Sequence, residues 1–440
     1  MSSLVSWRFA VSKPNGTIHF GTFDAEKWWR PADLAELPAV RTGGDTVVAT
    51  MDEMLVAGCS PGDLLVTRRP FPPDVRQSLA EAGIEFDHVV AQGTEISAEP
   101  IERQLFGDRV VAEIAAHYGR VQPYAVLPET EAVLAQWGIS SHVSQFDVVS
   151  RVNSKTWSNS LVQTLGLPGI ARLVQSVDEL EPAVRDSGPT VVIKDPYGVS
   201  GRGSLRVNSP GVLRAIERVL RHQEAEGHRV EFLVQPEFAK KCDFSGHLDV
   251  AADGTTRYLG VQLMINHGFR HFGSGPAGPE LMSLLDRSGY RDTLADIGAA
   301  LANAGYHGPV CVDSMVLADD TVLPILEINA RCSLGLLTLL AGNRIAHTGL
   351  TCHLWQLGLT LGPDQGVEHV ISALRDARLL YLGGSQSGVL LLGGGSAAET
   401  EGRVYGLSYC AADDAPAWYD RVVAAVRTAG IRVRSTRHAA

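Results

Sequence analysis

Apolar positions recur along the chain with two periods, and the way these alternate divides it. Up to about Val149, the short apolar runs Thr46-Val-Val-Ala-Thr50, Asp63-Leu-Leu-Val-Thr67 and Phe86-Asp-His-Val-Val90 predict buried strands. Among them Pro73–Gly83, Glu99–Gly119 and Glu129–Gly138 carry helical spacing. The first opens on proline, which loses no helical hydrogen bond at that position. It closes on glycine, which accepts the left-handed turn that ends a helix. Strands and helices taking turns predict a parallel α/β domain over residues 1–149.

The pattern changes near Ser150. Asn153–Leu165 reads as an amphipathic helix. Thr190–Lys194 is a strand that runs into the glycine-rich stretch Asp195–Ser204. Val212–Glu226 is helical, Glu231–Gln235 is a strand, and His247–Ala251 pairs with Arg257–Ile265 around Ala252-Asp-Gly-Thr255. Leu281–Ala304 is helical. Val310–Leu317 and Val322–Asn329 form a hairpin around Asp319-Asp320, and the apolar segment Leu334–Leu361 is read as helix. The tail offers strands at Arg378–Leu382 and Gly388–Leu392 and a helix over Ala415–Gly430. Its Gly393-Gly-Gly-Ser-Ala-Ala398 is read as a connector. The expected units are residues 1–149, 150–362 and a small α+β extension, 363–440.

Composition narrows the class. With 45% hydrophobic and 20% charged residues among 440, the chain is not a disordered one. No apolar run approaches the roughly 18 residues of a membrane span. Met1–Phe20 has no basic segment followed by an apolar one, so a soluble, cytoplasmic protein is expected. Lys+Arg 38 against Asp+Glu 49 gives −11, which argues against nucleic acid or an anionic membrane as partner. The six cysteines are scattered without metal-ligand spacing and are read as reduced thiols. Lysine is rare: Lys13, Lys27, Lys155, Lys194, Lys240 and Lys241. A retained lysine points weakly to a place where a compact ammonium suits and a planar guanidinium does not.

Two stretches carry chemistry. In Lys194-Asp-Pro-Tyr-Gly-Val-Ser-Gly-Arg-Gly-Ser204, backbone N–H groups can close around phosphate oxygens and the lysine can hold one as a point charge. It is neither a Walker A motif nor a GxGxxG fingerprint, and a plain turn is the alternative. In Glu327-Ile-Asn-Ala-Arg331, strand alternation puts Glu327, Asn329 and Arg331 on one face, with Asp313 on the adjacent strand. Two carboxylates and an amide oxygen suit Mg²⁺. An arginine beside them can bind a carboxylate or an acyl phosphate. The alternative is an exposed polar face. In Asn266–Ser274, Arg270 can bind a substrate carboxylate and His267 or His271 can take a proton, unless this is only a surface loop of stacked His and Phe. Trp28-Trp29 reads as domain packing and Lys240-Lys241 as a solvated turn.

Taken in order, Lys155, Lys194 with its loop, Gln235-Pro-Glu-Phe238, Asp313, and Glu327, Asn329 and Arg331 resemble the ATP-grasp superfamily over about Leu127–Gly342. The most specific element is Leu326-Glu-Ile-Asn-Ala-Arg331. The tail around Gly388-Val-Leu-Leu-Leu392 resembles the extension of ATP-grasp peptide ligases from actinobacterial natural-product clusters. The resemblance implies an α/β ATP-grasp fold with an N-terminal pre-ATP-grasp domain. By it, Lys155 and Lys194 would contact ATP phosphates, and Ser200, Gly201 and Gly203 would lie in the closing loop. Gln235 and Phe238 would line the adenine pocket, and Glu237 or Asp243 would meet the ribose. Asp313, Glu327 and Asn329 would hold two Mg²⁺, with Mn²⁺ as a substitute. Arg331 would steady the acyl phosphate, with Lys194 and Arg270 as further catalytic candidates. The implied reaction joins an amino-acid or peptide carboxylate to an amine, with ADP and phosphate as products. The implied partners are small molecules, with a homodimer as one expectation of assembly. A kinase, a carboxylase or a nucleotide-binding protein without turnover are the alternatives.

Overall fold

The computed structural model describes residues 16–38, 45–92, 99–140, 143–199, 202–268, 270–397, 399 and 402–435. Within them the chain builds three sheets in succession. The first is parallel and ordered β3-β2-β1-β4, from β1 (Thr17–Phe20), β2 (Leu64–Thr67), β3 (Asp87–Val90) and β4 (Arg120–Pro123). The second is antiparallel and ordered β5-β8-β6-β7, from β5 (Arg172–Val174), β6 (Val191–Val199), β7 (Arg202–Val207) and β8 (Phe232–Pro236). The third begins with β9 (Lys240–Val250), β10 (Thr256–His267), β11 (Arg270–Pro276), β12 (Gly308–Leu317) and β13 (Val322–Asn329). It continues with β14 (Thr351–Thr360), β15 (Gly388–Leu391), β16 (Arg403–Cys410) and β17 (Arg432–Ser435). Its order is β13-β12-β9-β10-β11-β14-β16-β15, and β17 also pairs with β14. The strands after residue 362 therefore extend the sheet that carries β12 and β13.

Packing follows the sequence pattern. The helix Tyr290–Asn303 buries Tyr290, Leu294, Ile297 and Leu301, one stripe at helical spacing, in the same core as Phe244 and Leu248 of β9. Full burial of such a side chain contributes about 1.5–3 kcal/mol. The tail is anchored on the N-terminal layer by charge. Glu53 Oε2 accepts from the N–H groups of Gly394 (2.7 Å) and Gly395 (3.0 Å), and Arg69 donates to Gly395 O (2.6 Å) and Glu399 (2.8 Å). A Cβ at Gly393 would lie 2.1 Å from the Glu53 carboxylate, so the glycine-rich turn read as a connector is also a fitted anchor.

Several elements differ from expectation, each for a local reason. Thr46–Thr50 falls mostly in a helix, Asp45–Ala49, that leads into the buried 3₁₀ segment Met51–Gly58. Burial of that segment overrides the β-branched preference. Leu334–Leu361 is helical only to Ile345. Gly349, at φ 77°, follows a short 3₁₀ turn, and Thr351–Thr360 then runs as β14. Glu99–Gly119 holds two helices, Ile101–Leu105 and Arg109–Ala115. Gly107 at φ 91° parts them, and Asp108 caps the second through Val110 and Val111 N–H. Arg378–Leu382 is no strand. Arg378 takes φ 55° after the helix Val367–Asp376, and only Leu380 bridges to Val389. Lys240-Lys241 opens β9 rather than a turn, with Lys240 paired to Asp243 and Lys241 to Asp320.

Candidate functional site

The charged residues converge where β6 of the small sheet meets β12 and β13 of the large one. The helix Lys155–Thr164 lies against β13 and is fixed to it by side chains. Asn153 Oδ1 accepts from Ala330 N (2.9 Å), and Ser158 Oγ accepts from Ile328 N (3.1 Å). Ser154 caps the helix through Thr156 N–H. Lys155, the first helical residue, is thereby aimed across the gap. Its Nζ donates to Gly198 O (2.6 Å) and pairs with Glu327 Oε1 (2.9 Å).

Glu327 and Asp313 are direct cross-strand partners on β13 and β12. Burial first, and then the neighbouring Glu327 charge, push the Asp313 carboxyl up to about 7. Opposite them, burial pulls Lys194 down to about 8 against the pull of Glu327. Asn329 donates its amide to Asp313 Oδ2 (3.1 Å) and turns its oxygen to Arg331 Nη2 (3.2 Å). Asp243 on β9 accepts from Lys240 (2.6 Å) and Asn266 (2.8 Å). A pocket beside the lysines is lined by Lys155, Lys194, Leu233, Gln235, Ile325 and Leu326.

The structure thus brings together Lys155, Lys194, Gln235, Asp243, Asp313, Glu327, Asn329 and Arg331. Gly203 stands at φ 118°, and a Cβ there would meet Gly198 Cα at 2.6 Å, so the β6–β7 hairpin closes only with glycine. Ser200 and Gly201 lie outside the described residues. Phe238 is half-buried just past β8. Glu237 is turned outward, held by Arg206 at 2.7 Å. Arg270 is exposed on the β10–β11 hairpin, where it pairs with His267 in the ladder. Burial holds His271 down to about 4, and the His267 ring meets Phe272 edge-on at 4.6 Å. Trp29 is buried and donates to Val126 O (2.8 Å), as a packing residue would.

Sequence reasoning missed four residues. Asn153 and Ser158 act through backbone atoms, which spacing does not reveal. Glu26 and Tyr124 come from the N-terminal layer and surround Arg331. Glu26 Oε1 accepts from Arg331 Nε (3.1 Å) and Nη2 (2.5 Å), and Tyr124 Oη accepts from Nη1 (2.8 Å).

The donor set suits a hard divalent cation. Two adjacent carboxylates, one of them raised by burial and then by the other's charge, would both be relieved by one. Among the described residues no three or more Asp, Glu, His or Cys side chains form a complete cage. An ion here would fill its shell with phosphate and water. Asn329 would join it only after its amide turns over.

The sheets and their order define the ATP-grasp fold. The biotin carboxylase domain of Hydrogenobacter thermophilus 2-oxoglutarate carboxylase, solved as a dimer with MgADP, ADP and bicarbonate, matches at TM-score 0.53 and 12% identity. That match covers 96% of this chain and 90% of that one. N5-carboxyaminoimidazole synthetase from Staphylococcus aureus matches at 0.53 and 10%, over 94% and 97% of the two chains. The Aspergillus clavatus N5-carboxyaminoimidazole synthase, solved with ADP and 5-aminoimidazole ribonucleotide, matches at 0.53 and 13%, over 94% and 99%. No family model and no curated protein sequence matches the chain. At these identities the likeness is one of fold.

Proposed function

We propose that the protein is an ATP-dependent ligase that joins a carboxylate to an amine through an acyl phosphate, releasing ADP and phosphate. The observation that carries this is the placement of Lys155 and Lys194 opposite the paired carboxylates Asp313 and Glu327. Carboxylate attack on the γ-phosphate brings two anions together, and the barrier falls where positive charge is fixed in advance. Lys155 and Lys194 supply it from the protein, under the Gly203 hairpin. Mg²⁺ held by Asp313, Glu327 and Asn329 would supply the rest, with Mn²⁺ as substitute. Adenine is assigned to the side of Gln235, with Phe238 as a further contact and Asp243 or Glu237 for the ribose. Arg331 has its donors committed, so it acts on the acyl phosphate through its charge. Arg270 is assigned to a substrate carboxylate. The substrates are read as amino acids or a short peptide in specialised metabolism, a glutamate-containing dipeptide among them.

A carboxylase acting on bicarbonate is the second reading, supported by the structural neighbours, whose names are those of carboxylases and carboxyaminoimidazole synthetases. The test is ATP turnover with Mg²⁺ against single amino acids, pairs and bicarbonate, with mass spectrometry of the products. ADP formed only with a pair, with a product one water lighter than the sum, supports the ligase. ADP that requires bicarbonate supports the carboxylase. No ADP in any pool, together with no nucleotide binding by calorimetry, refutes both.

A further inference from the structure

Arg331 ends the row Glu327, Asn329, Arg331, yet its N–H donors are directed elsewhere. A guanidinium has five N–H donors, and five hydrogen bonds use them. Nε and Nη2 go to Glu26 Oε1 (3.1 and 2.5 Å), Nη2 also to Asn329 Oδ1 (3.2 Å), and Nη1 to Tyr124 Oη (2.8 Å) and Cys332 O (3.0 Å). The Tyr124 ring lies 5.2 Å beneath. The side chains of Arg331 and Glu26 are 11% and 4% exposed, so the pair is screened little by water. Glu26 Oε2 has no hydrogen-bond partner among the described residues, so the carboxylate's charge is directed mainly at Arg331. The short helix Glu26–Trp29 is held by Trp29, whose indole donates to Val126 O and whose carbonyl accepts from Ser150 Oγ (3.0 Å).

A buried guanidinium stays charged and does not remain unpaired. Without the Glu26 charge, the next anions are Asp313, one hydrogen-bonded residue away through Asn329, and Glu327 on the same strand face. Turning to either would set Arg331 against a divalent ion for the same oxygens.

We propose that Glu26 is a positioning residue of the cation site: it holds Arg331 off Asp313 and Glu327 and leaves those carboxylates free for a divalent ion. The inference rests on the reading of Asp313 and Glu327 as cation ligands. The N-terminal layer then contributes to the site without touching the ion.

The test uses the full chain with ADP and Mn²⁺ as the probe, reading free Mn²⁺ by electron paramagnetic resonance. Glu26→Gln keeps the shape and removes the charge. It should weaken Mn²⁺ binding by roughly tenfold to a hundredfold, the usual effect of losing an outer-shell partner. Glu26→Asp should bind Mn²⁺ as the wild type does. In Glu26→Gln combined with Arg331→Met the competing cation is gone, and binding should return to near the wild-type level. A merely structural role for Glu26 would give no such rescue. Wild-type binding by Glu26→Gln, or a double variant as weak as the single one, overturns the inference alone. So does Glu26→Asp binding Mn²⁺ roughly tenfold or more below the wild type, which remains readable if Glu26→Gln does not fold. Failure of the wild type to bind Mn²⁺ overturns the cation-site reading and this inference with it.

Discussion

Two groups of buried carboxylates, one on β12 and β13 and one in the N-terminal layer, invite comparison. Around β12 and β13, Asp313 is raised to about 7. In the N-terminal layer, Glu53 and Glu102 are likewise raised to about 7 and Asp52 is raised as well, all mainly by burial. Titration alone would rank them as equals. Their surroundings differ. Asp52 pairs with Arg68, which also donates to Ala49 O and Thr22 Oγ1. Glu102 accepts from Thr22 Oγ1, and Glu53 clamps the Gly394–Gly395 backbone. These carboxylates are 0–2% exposed and bind elements of the fold to each other. At the other group, Glu327 remains 24% exposed, and two lysines from separate elements face it beside a pocket. A shifted carboxyl marks a site only where mobile charge can reach it and counter-charge is held ready.

The comparison can be broken most sharply at Glu327. Glu327→Ala should abolish ADP formation while urea unfolding stays cooperative; near-normal turnover would remove the distinction. Next, Lys194→Met should weaken ADP·Mg²⁺ binding by about 1.5–3 kcal/mol, the worth of a hydrogen bond to a charged group, as read by calorimetry. In the N-terminal layer the pattern should invert. Glu53→Ala strands two backbone N–H groups and should cost about 1–3 kcal/mol of stability, with nucleotide affinity unchanged.

A pH series sharpens the same contrast. Glu53 and Glu102 titrate near 7 in the folded chain and near 4.5 once unfolding exposes them to water, so the folded state holds more protons between those values. Their contribution to stability is fully present below about 4.5 and is lost as pH rises through 7. Thermal midpoints of Glu102→Gln should therefore fall less steeply over that window than those of the wild type. The smallest effect is expected at Arg270. Arg270→Ala should change stability by less than about 0.5 kcal/mol and raise only the KM of a carboxylate substrate.

How far the sequence could be read follows from the physics of each element. Hairpins with charged turns, such as β12–β13 around Asp319-Asp320, were legible because alternation and turn chemistry agree. Lys155, Lys194, Asp313 and Glu327 were singled out by their order along the chain, and the fold brings them together. Thr351–Thr360 was not legible, because an apolar run continuing a helix has no period that separates helix from strand until its packing is known. Nor were Glu26 and Tyr124. Their partner lies some 200 to 300 positions away, and nothing near Glu26 marks it apart from other surface-type acids. Asn153 was hidden for another reason. Its bonds are to main-chain atoms, which carry no residue identity.

The bonds from Asn153 and Ser158 to the Ala330 and Ile328 amides bear on more than the aim of Lys155. β13 is the outermost strand of its sheet, and an outermost strand offers unpaired amides on which a second chain can form a ladder. Those two side chains occupy such amides with groups that cannot propagate a ladder. The residues that set the aim of Lys155 therefore also close these two amides at the border of the sheet.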